Sequence, residues 1–248
     1  MARIKFMNTE VDNLTMDEAL DRIDELIQED RAAYVVTPNV DHLVQLERGG
    51  ELNEVYKYAD LILTDGKPLI WISKWYGTPI KEKISGSDLF PRLCALAADK
   101  GYKMYFLGAA EGVAATAAKN LMKKYPGLQV VGTYSPPFGF EKDEAEMTKI
   151  KRQIKDVQPH ILIVGLGCPK QELFILHHRG ELGVPISLGL GASLDFEAGN
   201  IKRAPKWMAD HGLEWLFRIT QDPKRMAKRY LVDDRKILGM AIKYRKEK

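Results

Sequence analysis

Between residues 1 and 200, short runs of consecutive apolar side chains alternate with stretches in which apolar residues recur every third or fourth position. The first such stretch sets Met16, Ala19, Leu20, Ile23, Leu26 and Ile27 on one helical face, behind Thr15 and Glu18 at capping-box spacing. The continuous runs suit strands covered on both faces. They predict strands at 34–37, 61–64, 102–107, 128–131, 161–164 and 186–190. Asn39 is placed to cap a helix that ends at Gly49, and Pro68 opens another behind Asp65-Gly66. Ser87 or Asp88 caps a third that runs to Lys100, Gly112 leads into an alanine-rich helix, and 141–156 reads as a charged helix. Strand and helix thus alternate, which predicts an α/β fold: a Rossmann-like, mostly parallel sheet with helices on both faces.

Ligands of such sheets bind beyond the carboxyl ends of the strands. Small and polar residues collect at those ends: Thr37-Pro38-Asn39, Thr64-Asp65-Gly66, Gly108, Gly165 to Gly167 and Gly189 to Gly191. After the apolar run at 161–164, Gly165 and Gly167 precede Pro169 and an amphipathic stretch, which reads as strand, tight turn and helix start. Glycine lets backbone N–H groups approach a ligand closely, and a helix N-terminus favours an anion, so a phosphate or diphosphate is expected here. Lys170 stands where a dinucleotide fingerprint needs its third glycine.

Beyond Asn200 the alternation stops. A helical region starts at Ala204-Pro205 with Trp207, Leu213, Trp215, Leu216 and Phe217. Pro223 begins another, in which Arg225, Lys228, Arg229 and Arg235 accompany Met226, Tyr230, Leu231, Ile237, Leu238, Met240 and Ile242. The chain is therefore expected to divide into an α/β domain over 1–199 and a helical appendage over 200–248. Residues 206–248 carry a net charge of +6 and the preceding ones −3. A basic amphipathic segment of this kind suits an anionic membrane surface, or docks as a lid on the body. Its apolar face over 207–217 is equally suited to self-association.

Asp65, after an apolar strand and before glycine, is placed as a general base if it faces a cleft, and as a plain turn residue if it does not. Thr37 and Asn39 can offer hydrogen bonds to a sugar, although Asn39 also serves as a helix cap. Gln171 lies one turn into the helix that follows Gly167. No Asp-x-Asp occurs in the chain, the pair with which many sugar-nucleotide transferases hold a divalent ion on a diphosphate. Arg218 and Arg225 can supply the charge in its place, as guanidinium groups fork onto phosphate oxygens. His42, His177, His178 and His211 show no metal-ligand spacing and read as structural or surface residues. Two cysteines distant in sequence fit a reducing cytoplasm, the N-terminus does not read as a signal peptide, and no apolar run is long enough for a membrane span.

Taken in order, the stretches at 37–42, 63–68, 85–89, 106–109, 165–172, 189–199, 203–207 and 212–218, with the basic tail, resemble glycosyltransferase family 26, the TagA-type N-acetylmannosaminyltransferases. The resemblance implies a metal-independent, inverting enzyme without a cofactor. It would move N-acetylmannosamine from its UDP donor to undecaprenyl-diphosphate-linked N-acetylglucosamine, the linkage unit of wall teichoic acid, at the inner face of the cell membrane. Carried over by position, Asp65 would deprotonate the acceptor, and Thr37 and Asn39 would orient the sugars. Gly108, Gly167, Gln171 and Gly191 would line the donor pocket, and Arg218 and Arg225 would close over the diphosphate. No nucleic-acid partner is implied. Lys83 stands where an arginine is expected. Transfer of another UDP-hexose or of UDP-N-acetylmannosaminuronate, a nucleotide-binding oxidoreductase and a non-catalytic membrane scaffold are the alternatives.

Overall fold

In the computed structural model residues 3–246 are described, so Met1 and Ala2 of the N-terminal stretch and Glu247 and Lys248 of the tail lie outside the described residues. The elements run in chain order β1 (Arg3–Phe6), β2 (Thr9–Asp12), α1 (Met16–Glu29), β3 (Ala33–Val36), α2 (Val40–Glu47), α3 (Glu51–Lys57) and β4 (Leu61–Ile62). Next come α4 (Lys67–Trp75), α5 (Gly86–Lys100), β5 (Lys103–Gly108), α6 (Val113–Lys124), β6 (Gln129–Tyr134), α7 (Glu144–Val157) and β7 (Ile161–Gly165). Then follow α8 (Lys170–Leu182), β8 (Ile186–Gly189), α9 (Ser193–Ala198), α10 (Lys206–Asp210), α11 (Glu214–Gln221), α12 (Pro223–Ala227), a π-helical turn (Lys228–Asp233) and α13 (Lys236–Lys246).

By packing, the chain forms two units. One gathers the described residues of Met1–Thr15, Thr37–Ser85 and Ile201–Lys248; the other holds Met16–Val36 and Gly86–Asn200.

The second unit is an α/β layer structure. It holds five strands of the parallel sheet, in the order β3-β8-β7-β5-β6. Ala33 pairs with Ile186, Ile186 with Ile161, and Ile161 with Met104. Central β7 buries Ile161 to Val164 completely, as a strand covered on both faces must. Edge strand β6 buries no residue fully, and its Gly132 leaves room for the Tyr105 ring, which a Cβ would meet at 2.4 Å. All six apolar positions singled out on α1 are buried. In α6, Ala114, Ala117 and Ala118 let the helix lie close to α9, because a methyl group keeps backbones near.

The first unit opens with the β1–β2 hairpin, which the apolar pattern did not indicate. Arg3 forks onto Asp12 at 3.0 and 2.9 Å, and Asp12 also accepts the Ile62 N–H at 2.8 Å. A buried carboxylate is thereby satisfied by a guanidinium and a backbone donor. The tail belongs to this unit. Met226, Ile237, Met240 and Ala241 are buried, the Tyr76 hydroxyl donates to the Ala241 carbonyl at 2.7 Å, and Lys243 and Tyr244 reach Glu47 at 2.8 and 2.6 Å.

Several boundaries differ from the expectations. Strand β4 is only two residues long, although Leu63 and Thr64 remain buried. Helix α5 begins at Gly86, so Ser87 and Asp88 sit inside its first turn and neither caps it. Helix α7 begins at Glu144, where the Asp143 side chain accepts from Ala145 and Glu146 N–H groups; residues 140–142 form a separate 3-10 turn. Pro169 precedes α8 and follows a cis peptide bond from Cys168.

Candidate active site

Three separated segments of the first unit meet at Asp65. The Asp65 N–H donates to the Pro38 carbonyl at 2.8 Å, which seats Asp65 beside Thr37-Pro38-Asn39. The Ile84 N–H donates to the Thr64 carbonyl at 2.8 Å and brings Lys83 to the other flank. Gly66 follows with φ of +105°, a conformation open to glycine at little cost, so the chain turns sharply from Asp65 into α4. Asn39 caps α2: its side-chain oxygen accepts the His42 N–H at 3.3 Å, and its own N–H donates to His42 Nδ1 at 3.3 Å. His42 is accordingly a buried structural residue and not a surface one. Thr37 is buried, and the buried Thr64 hydroxyl has no hydrogen-bond partner among the described residues.

Asp65 is half-buried, and burial pushes its carboxyl up to about 6, which outweighs the pull of Lys83, Arg218 and His42 toward the charged form; Glu214 adds to the rise. A carboxyl at this value is a stronger base than a free aspartate and is still ionised at neutral pH. Arg218 comes from α11, with its side chain 29% exposed and Nη2 3.3 Å from Glu214 Oε1. Burial works against its charge, but Tyr230, Glu214 and Asp65 outweigh that, so the guanidinium is held above its ordinary value. Arg225 is placed differently. It is 72% exposed and bonds Asp222 at 2.7 Å, at the cap of its own helix.

The structure adds a residue that the sequence reading left among the basic positions of the tail. Arg229 Nη2 donates to the Asn39 side-chain oxygen at 3.2 Å and lies 3.7 Å from Asp41, while its Nε lies 3.9 Å from Asp234. Asp234 is buried, which pushes its carboxyl up to about 6 against the pull of Arg229. Glu214 and Tyr230 were missed as well. Only the four-residue spacing of Glu214 and Arg218 could have signalled one of them.

The remaining predicted residues lie in the second unit, at the carboxyl ends of β5, β7 and β8. Gly108 has φ of +111°, and a Cβ there would sit 2.5 Å from the Gly165 carbonyl oxygen. The Ala109 N–H donates to that same oxygen at 2.8 Å. Gln171 is buried. Its side-chain oxygen accepts the Gly191 N–H at 2.9 Å and the Gly167 N–H at 3.2 Å, while its nitrogen donates to Glu172 at 2.7 Å. The Gly167 N–H, expected to stand ready for a phosphate, and the Gly191 N–H are therefore both engaged by Gln171, which ties the two loops together.

Several apolar side chains of the first unit are exposed: Trp71, Trp207, Leu216, Leu231, Val232, Leu238 and Ile242. Among the described residues no helix is long and apolar enough to cross a membrane.

A half-buried carboxyl raised by burial, with a guanidinium and an ammonium group acting on it, has the chemistry of a general base in an enzyme. The chain belongs to the WecG/TagA/CpsF family of glycosyl transferases, whose family model matches residues 4–248. It is similar to proteins named N-acetylglucosaminyldiphosphoundecaprenol N-acetyl-beta-D-mannosaminyltransferase from several bacteria. That from Bacillus spizizenii is 33% identical over 80% of this chain and 75% of the relative. The Bacillus subtilis protein is 31% identical over 78% and 73%, and one from Staphylococcus aureus 28% over 92% and 88%. The family places the chain among the transferases and not the oxidoreductases.

Proposed function

We propose that this chain transfers N-acetylmannosamine from UDP-N-acetylmannosamine to undecaprenyl-diphosphate-linked N-acetylglucosamine, with inversion and without a metal ion. The observation that carries the reading is Asp65, a carboxyl held at about 6 with Lys83 and Arg218 as its cationic neighbours. Asp65 takes the proton of the acceptor hydroxyl as that oxygen attacks the anomeric carbon. The bond from that carbon to the UDP oxygen breaks, and UDP leaves. Arg218 and Arg225 neutralise the departing diphosphate, the task a divalent ion performs in other transferases. Thr37 and Asn39 bond the sugars, and Gly108, Gly167, Gln171 and Gly191 shape the donor pocket, with Gln171 as the brace of its loops.

The acceptor is a lipid, so the enzyme works at a membrane surface. The basic residues of 206–248 and the exposed Leu231, Val232, Leu238 and Ile242 support that contact. The apolar face over 207–217, where Trp207 and Leu216 are exposed, suits self-association in the absence of lipid.

The test is a panel of UDP-hexosamines and the corresponding uronate, each offered with a short-chain polyprenyl-diphosphate N-acetylglucosamine, with UDP release and product mass as readouts. Turnover is expected with UDP-N-acetylmannosamine and unchanged, within about twofold, in excess chelator. Preference for another donor would reassign the sugar, strict dependence on Mg²⁺ or Mn²⁺ would remove the arginines as the diphosphate's counter-charge, and no UDP release with any pair would end the reading.

A further inference from the structure

The orientation of the Asn39 carboxamide follows from what surrounds it. One end lies 3.3 Å from the His42 backbone N–H and 3.2 Å from Arg229 Nη2. Both are obligatory donors, whereas the His42 ring Nδ1, 2.9 Å from the same end, donates or accepts according to its tautomer; the two fixed donors therefore decide the matter, and an amide nitrogen in that place would be set against both of them. The end held there is therefore the oxygen, and the NH2 group is directed away from both. Arg229 reaches Asn39 from 190 positions further along the chain, whereas the His42 contact is local to the helix cap. The guanidinium is in turn held between Asp41 and Asp234, at 3.7 and 3.9 Å, and lies 5.6 Å from the Tyr230 ring centre.

We propose that Arg229 is a positioning residue that fixes Asn39 as a hydrogen-bond donor to substrate. Asn39 then recognises an oxygen lone pair of the sugar, for which the acetamido carbonyl of an N-acetylhexosamine is the strongest neutral acceptor, and it does not recognise a hydroxyl proton. The proposal rests on the reading of Asn39 as a sugar-binding residue and adds which of its two polar ends does the binding and what holds it so.

Asn39→Asp and Asn39→Ser both keep a side-chain oxygen able to cap α2, so the helix start survives in each. Both lose the NH2 group. Transfer from UDP-N-acetylmannosamine to the short-chain lipid acceptor is expected to fall by about tenfold or more in kcat/KM for either, even though aspartate pairs better with Arg229. Arg229→Gln is expected to cost about tenfold in the native background and less than about twofold in the Asn39→Ser background, because its effect passes through Asn39. Protection of the tail from limited proteolysis, measured alongside, separates positioning from loss of tail seating. Equal losses from Arg229→Gln in both backgrounds would overturn the proposal and leave Arg229 as a seat for the tail. Near-native activity of Asn39→Asp would overturn it by showing that the oxygen end is the one that matters. Full activity of Asn39→Ser would remove the sugar-binding reading itself, and this proposal with it.

Discussion

Replacing Asp65 with asparagine is expected to cut activity and raise stability at once, and both effects follow from one half-buried charge. The side chains have nearly the same shape, so packing changes little. As a general base the carboxylate contributes about 10²–10⁴ in rate, and kcat should fall by about that factor while UDP-sugar binding persists. With its carboxyl at about 6, the native enzyme should gain activity as pH rises through that value and level off above it. The stability effect has the opposite sign. The folded state raises this carboxyl above its ordinary 3.8, so folding favours the protonated form. Between about 4 and 6 the folded protein holds a proton that the unfolded chain has released, and stability is lost as pH rises through that window. A rise of roughly two units corresponds to about 3 kcal/mol, a ceiling because the group is only half-buried. The neutral amide of the Asp65→Asn variant would carry no such cost. Urea denaturation of the two proteins at pH 8 should show the variant more stable by about 1–3 kcal/mol, with the difference gone near pH 3.5. Native turnover in the variant would refute the assignment of the base. A variant less stable than the native protein at pH 8 would refute the desolvation argument beneath it.

Arg218→Gln removes a positive neighbour of Asp65, so the acidic limb of the pH–rate profile should move to higher pH, and loss of charge at the leaving diphosphate should cost about 10²–10³ in kcat. Arg225→Gln, at an exposed position already paired with Asp222, should cost about tenfold or less; an equal loss at both positions would contradict the difference in their placement. Gly108→Ala brings a Cβ against the backbone oxygen of Gly165 at 2.5 Å in a left-handed conformation, neither of which can relax. It should destabilise by roughly 2–4 kcal/mol, or on the order of 5–10 °C in Tm by scanning calorimetry. Leu231→Glu combined with Leu238→Glu should weaken co-sedimentation with anionic vesicles by about tenfold or more and leave UDP-sugar binding untouched, since both side chains are exposed on the tail. Unaltered vesicle binding would move the lipid contact elsewhere.

Periodicity along the chain determined the longer helices and most strands, because a side chain's burial repeats with the geometry of its own element, whereas the short helices Glu51–Lys57 and Ser193–Ala198 span too few turns to show it. The helix Met16–Glu29 and the buried strand Ile161–Gly165 needed nothing beyond their local pattern. The cap at Asn39 was equally legible, since a cap and the N–H it satisfies lie within one turn. The β1–β2 hairpin escaped because strands of four residues are too short to show an alternation, and its anchor, Arg3 on Asp12, joins residues nine apart. What the local pattern cannot carry is the partner against which a face is buried. Only the tertiary structure brought Pro38, Asp65, Ile84 and Arg218 into one neighbourhood, and only there does the carboxyl acquire its raised value, because desolvation depends on everything that surrounds the group. It likewise gave the N–H groups of Gly167 and Gly191 to Gln171, and it picked Arg229 out of a basic tail by setting it against Asn39. A hydrogen bond is decided by distance in space, and two of these partners stand 190 residues apart along the chain.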